Sequence, residues 1–158
     1  MKTTMLVLAC CLCGGHALAA ETSVLIFGAS HHGSCDASRW NCDLNNSNPG
    51  LGLELAEQQV DYSLFVRGGG YRDSRRETAY FVAGGGRKHW EVGQDVVVGA
   101  GLMVGYLNGS GVHGLAGLPF VTVGGKLLQL EIGYAPKLQW KDRMMPATTT
   151  FSLRWQIE

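Results

Sequence analysis

One group of residues in this chain combines an imidazole, a carboxylate and a hydroxyl. His31-His32 closes an apolar and small-residue stretch, and Asp73-Ser74 sits within Tyr71-Arg72-Asp73-Ser74-Arg75-Arg76-Glu77. An imidazole can take the proton of a hydroxyl while a carboxylate orients the ring, which is the minimal set for moving an acyl group. Arg72, Arg75 and Arg76 add guanidiniums suited to gripping phosphate oxygens. The plainer reading is that His31 and His32 are ordinary loop residues and that Asp73-Ser74 is a turn pair bonding its own backbone. Other candidates fall short. His89 and His113 are expected in separate loops at opposite ends of the molecule, and Gly68-Gly69-Gly70 and Gly84-Gly85-Gly86 lack the lysine and helix of a phosphate loop.

The elements that must position these groups are strands. Leu51, Leu53 and Leu55 alternate with Gly52, Glu54 and Ala56, and Val96 to Tyr106 alternates apolar with small residues. The same period of two runs through Leu128 to Tyr134 and Phe151 to Ile157. Eight strands are expected, near 22–32, 50–57, 61–72, 78–87, 94–106, 117–124, 126–134 and 148–157. The connections 33–49, 73–77, 107–116 and 135–147 are mostly longer than those between, as when an even-stranded barrel keeps its long loops outside. His31-His32 and Asp73-Ser74 then share the outer rim, because the first and third strands run the same way. The 23 glycines among 158 residues, about twice the usual share, fit turns and the inward face of a narrow barrel.

Such a barrel can be soluble, with its apolar face inward, or membrane-embedded, with that face toward lipid. The second face decides between them: Gly, Ser, Gln, Glu and Arg make a poor exposed surface for a protein with only 16% charged residues, but they suit a crowded interior. Tyr62, Tyr80, Trp90, Tyr106, Tyr134, Trp140 and Trp155 fall near strand ends, where interfacial girdles form. The fold class is therefore all-β, an eight-stranded antiparallel up-and-down transmembrane β-barrel. Lys2, the apolar Met5 to Cys13 and Ala17-Leu18-Ala19 make residues 1–20 a secretory signal peptide, with the barrel over 21–158. Cys10, Cys11 and Cys13 leave with it, so Cys35 and Cys42 remain as a disulfide pair. A metal site recruiting His31, His32 and Asp36 around these thiols is the weaker alternative, since zinc ligand pairs are more tightly spaced. Thirteen basic against thirteen acidic residues give no basic excess for nucleic acid.

The chain resembles the lipid A palmitoyltransferases, the PagP family of outer-membrane barrels. The residues that carry the likeness are Asn48-Pro49-Gly50-Leu51-Gly52-Leu53, Tyr71-Arg72-Asp73-Ser74, Ala83-Gly84-Gly85-Gly86, Leu118-Pro119-Phe120, Gly133-Tyr134-Ala135-Pro136 and Leu153-Arg154-Trp155-Gln156-Ile157. They occur in the family's order over nearly all of the mature chain. The resemblance implies transfer of a palmitoyl-like chain from a phospholipid donor to lipid A in the bacterial outer membrane, by a monomer and without a cofactor. It implies His32, or His31 in its place, as base, with Asp73 and Ser74. His32 is preferred because Val24, Ile26, Gly28, Ser30 and His32 would share the inward face, leaving Leu25, Phe27 and Ala29 toward lipid. Arg72, Arg75 and Arg76 would hold lipid phosphates. Gly86 would stand near the floor of a hydrocarbon ruler that Gly99, Gly101 and Gly105 keep open, and Pro49, Pro119 and Pro136 would loosen strand pairing where lipid enters.

The chain departs from that pattern in its first loop, closed by Cys35 and Cys42, and in passing from Glu21-Thr22-Ser23 directly into a strand with no amphipathic helix before it. These departures support a second reading, a non-enzymatic barrel of the same fold that stabilises the membrane or offers its loops to a partner. A third is a soluble exported barrel with an apolar ligand.

Overall fold

A computed structural model describes residues 20–35, 42–109, 111–140 and 143–157. The signal peptide expected over 1–20 lies outside the described residues except for Ala20, which already belongs to the first strand. Eight long strands form the wall: β1 (Ala20–His32), β2 (Ser47–Gln58), β3 (Tyr62–Arg72), β4 (Thr78–Val92), β5 (Val96–Gly109), β6 (Val112–Gly124), β7 (Leu128–Ala135) and, last in sequence, β10 (Thr148–Ile157). β8 (Leu138–Trp140) and β9 (Arg143–Met145) pair as a small hairpin between β7 and β10. Each wall strand pairs antiparallel with its neighbours, and β1 meets β10 to close the barrel. All eight expected strands are present.

The outer face is apolar. Leu51, Leu53, Leu55, Leu64, Val66, Val82, Leu102, Val104, Val121, Val123 and Leu153 all project from the wall. Every wall strand is paired on both sides, β6 and β7 over only part of their length, which approaches the edge-free closure that hydrocarbon demands of a β structure. Tyr62, Trp90 and Trp155 ring one end of this belt, and Tyr80, Tyr106 and Tyr134 ring the other. On β4, Tyr80 and Trp90 are separated by about 33 Å of strand, which a tilt of ~40° reduces to about 25 Å, the height of a membrane barrel's apolar band. The geometry is that of an outer-membrane barrel. The end at which β1 begins, β10 ends and the short turns lie is the periplasmic end.

Two expectations about the connections are corrected. The β5–β6 ladder continues to Gly109–Val112, so most of 107–116 is strand and the outer connection is a tight turn. At the other end β4 runs to Val92, which converts the expected loop at 88–93 into wall.

The faces of β1 are also corrected. Leu25 is 1% exposed and points inward with Phe27, while Ile26 faces out. Further up, Ser30 and His32 point inward, as the sequence suggests. The cause is a register shift between Phe27 and Ala29 in both ladders of β1. A bulge at Gly28 inserts one residue and so exchanges inward and outward positions above it.

Inward glycines seat neighbouring side chains. A Cβ on Gly101 would lie 2.5 Å from Phe120 Cζ, and one on Gly85 would lie 2.5 Å from Phe65 Cζ. Phe27 covers Gly52 and Gly69, and Thr122 covers Gly99. The glycines therefore let large rings from adjacent strands lie flat against the wall, as Gly in a strand does where another group approaches closely.

Candidate functional site

His32 reaches the inner rim because the bulge turns the end of β1. Its Nε2 lies 3.1 Å from Ser30 Oγ and 3.3 Å from the Asn45 carbonyl, and its Nδ1 lies 3.1 Å from Thr148 Oγ1. The Ser30 hydroxyl donates to Asn48 Oδ1 at 2.6 Å, so its oxygen is left to accept from the imidazole. Nε2 thus faces a carbonyl and a hydroxyl oxygen, and Nδ1 faces the Thr148 hydroxyl, which itself donates to the Pro146 carbonyl at 3.1 Å. Ser74 is not among the hydrogen-bond partners of His32.

Asp73 and Ser74 organise the β3–β4 turn. Asp73 is wholly buried, and its Oδ1 accepts the amides of Arg75 and Glu77, both at 2.8 Å. This local capping by an aspartate accompanies the left-handed backbone of Arg76, φ 66°. Ser74 is buried, and its carbonyl accepts the Asn45 amide at 2.7 Å. Thus the His32 and Ser74 segments are tied by the same residue, Asn45, at two different carbonyl or amide groups.

Asn48, buried on β2, extends the brace by donating through Nδ2 to the Arg72 carbonyl at 3.0 Å. Farther out, Arg76 forks onto Asp43, with both bonds 3.0 Å. Hydrogen bonds from Arg76, and then its charge, hold the Asp43 carboxyl below its ordinary value. Asp43 in turn raises Arg76. The adjacent Cys35 and Cys42 form the expected disulfide, with Cα atoms 5.8 Å apart. Asp43 and Asn45, at the end of the first connection, are thereby tied to the rim.

The remaining candidates are dispersed. His31 faces outward and is exposed. Arg72 is exposed at the end of β3, and the Arg75 guanidinium lies against Gly111 in the β5–β6 turn. Gly86 lies on the lipid side, near Leu64, because Ala83, Gly85 and Arg87 hold the inward parity of β4. The placement of Gly86 at a bore floor is therefore corrected.

The floor is instead an ion cluster of residues that the sequence reading left unassigned. Arg67 on β3 makes a forked pair with Glu131 on β7, at 2.5 and 3.1 Å, and also pairs with Glu54 on β2. Arg87 reaches Glu54 at 2.8 Å, and Arg154 reaches the same carboxylate at 2.9 Å. The Arg67 guanidinium lies against the tilted pair Phe65 and Phe120, 4.3 and 5.1 Å from the ring centres, an arrangement that favours a cation against π faces. The available signal was parity: each of these charged residues stands on the inward face of an alternating strand.

Above this floor Leu25, Phe81 and Ala83 are buried, and half-buried Phe27, Tyr71, Met103 and Leu107 pack against them. Ala116, Leu118, Thr150 and Ser152, on β6 and β10, are also half-buried. The β6–β7 ladder spans Phe120–Gly133 to Gly124–Gln129. Above it β7 pairs only with β10, as at Ala135–Thr148.

No protein-family model matches the chain, and no curated protein matches it in sequence. Similar solved structures include the outer-membrane protein Ail of Yersinia pestis in a phospholipid nanodisc, at 9% identity and TM-score 0.43 over 87% of this chain and 99% of that one. Neisserial surface protein A shares 11% identity at TM-score 0.42, over 87% and 96% of the two chains. A crystal structure of Ail gives 10% identity and TM-score 0.38, over 87% and 97%. What this chain's closed ladder, lipid-facing belt and charged interior establish is the wider class: it is a small eight-stranded outer-membrane β-barrel.

Proposed function

We propose that this chain is a non-enzymatic outer-membrane barrel that presents a braced first loop at the cell surface. The observation that carries this reading is the engagement of His32 and Asp73: hydrogen bonds that hold the rim and its turn together occupy both groups. A loop fixed in advance loses less conformational entropy when a partner binds. The test replaces His32, Asp73 and Ser74 singly with Ala in the full chain, in a host without lipid A palmitoylation. Lipid A mass spectra are expected to match the empty host for every version, while His32→Ala and Asp73→Ala increase protease cleavage of the first loop. An acyl chain added by the wild type and lost in the variants overturns the reading.

A specific observation favours a second reading, transfer of an acyl chain from a phospholipid to lipid A. The β6–β7 ladder ends where Pro119 precedes Phe120, Pro136 follows β7, and half-buried Met103, Leu107 and Leu118 line the wall behind. Proline removes a ladder donor, and a wall loosened there would admit lipid sideways. In this reading His32 is the base, Ser74 the hydroxyl, Asp73 the orienting carboxylate, and Arg72, Arg75 and Arg76 hold anionic phosphates. The same mass spectra test it: a mass gain of one acyl chain on lipid A supports transfer, and its absence in several phospholipid backgrounds removes it.

A further inference from the structure

β1 is the strand with an interrupted register on both sides, since the shift at Phe27/Ala29 occurs in its ladders with β2 and with β10. Its ladder with β10 is also the one that closes the barrel. Arg154, on β10, does not stop at its neighbour. Its Nε reaches over β1 to Glu54 Oε1 on β2 at 2.9 Å, and its Nη2 stands 3.7 Å from Glu21 Oε2 on β1. In the other direction Nη1 meets Gln129 Oε1 on β7 at 3.4 Å. Four consecutive wall strands, β7, β10, β1 and β2, are therefore joined by one buried guanidinium. Ser23, wholly buried, pairs with Glu54, and Leu25 pairs with Arg154, so the bridge passes directly over the inward face of β1.

From this arrangement we infer that Arg154 is the closure latch of the barrel, tying β10 to β2 across the irregular first strand. Glu54 is the catch. It is already held by Arg67 and Arg87 from β3 and β4, so the last strand is fastened to a carboxylate that the N-terminal strands have positioned. The bond is charge-assisted and shielded from water, which makes it stronger than a neutral backbone bond. The other ladders run without a register shift; at this seam a side chain bridges the strand whose register the bulge interrupts.

Hydrogen–deuterium exchange on the full barrel in detergent micelles tests the latch. Arg154→Gln is expected to raise exchange in residues 20–32 by about tenfold or more, the ratio for losing one charge-assisted bond. The β4 and β5 amides should keep their wild-type protection. Arg87→Gln also removes a guanidinium from Glu54 but does not cross the seam, so it should leave 20–32 no more affected than the other strands. If Arg154→Gln does not fold, Arg154→Lys, which keeps the charge and loses the three-way reach to Glu54, Glu21 and Gln129, should show the same localised rise at smaller size. Unchanged exchange in 20–32, or an equal rise in all strands, overturns the inference.

Discussion

The floor of the bore and its outer rim both join distant strands through polar side chains, yet they do so with different chemistry. At the floor acidic and basic side chains, Glu54, Arg67, Arg87, Glu131 and Arg154, pair nearly sealed from solvent. At the rim hydroxyl, imidazole and amide groups, Ser30, His32, Asn48 and Thr148, do the joining, and the exposed pair Asp43–Arg76 lies outside them. Burial sets the consequence of losing a partner. A charge left alone at the floor has neither water nor a counter-ion, whereas a rim group can exchange its lost partner for solvent. The floor therefore serves the barrel as a whole, and the rim serves the posture of one loop.

The largest test of that contrast is Glu54→Ala, which removes the carboxylate that Arg67, Arg87 and Arg154 share. It should cost about 3–5 kcal/mol, the range for breaking a buried ion pair from one side, seen as loss of the heat-modifiable folded band or a lower urea midpoint. Asn48→Ala, at the rim, removes the link from Ser30 to the Arg72 carbonyl. A cost of about 1–3 kcal/mol is expected for the unsatisfied groups, with faster amide exchange confined to the first loop and the β3–β4 turn. If Asn48→Ala destabilises the barrel as much as Glu54→Ala, floor and rim are not separate.

The smallest effect is one of pH. Because Arg76 lowers the folded-state value of Asp43, the pair's contribution is present above the unfolded carboxylate value, about 3.9. It is lost only as pH falls through the lower folded value. The brace should thus survive acidification through the ordinary carboxylate range. Titration of the Asp43 carboxyl by NMR checks this, and Arg76→Ala should return its midpoint to the ordinary range.

Much of this architecture is written in the period of the sequence. Alternation in residues 51–56, 96–106, 128–134 and 151–157 assigns lipid and interior faces correctly, because a strand places successive side chains on opposite sides wherever its register is regular. The closeness of Cys35 and Cys42 in the chain is likewise enough to anticipate their bond. Periodicity fails at Gly28, where one inserted residue reverses the parity of β1, so Leu25 and Phe27 go inward although His32 does too. The family resemblance likewise misplaces Gly86, one residue from the true inward series. The tertiary structure alone decides which polar residues meet. Glu54, Arg67, Arg87, Glu131 and Arg154 stand on β2, β3, β4, β7 and β10, and only closure at a particular shear brings their side chains to one level. The same holds for His32, which shares a rim with Ser74 by strand direction but finds Ser30, Asn45 and Thr148 as its partners through the detailed course of the first loop.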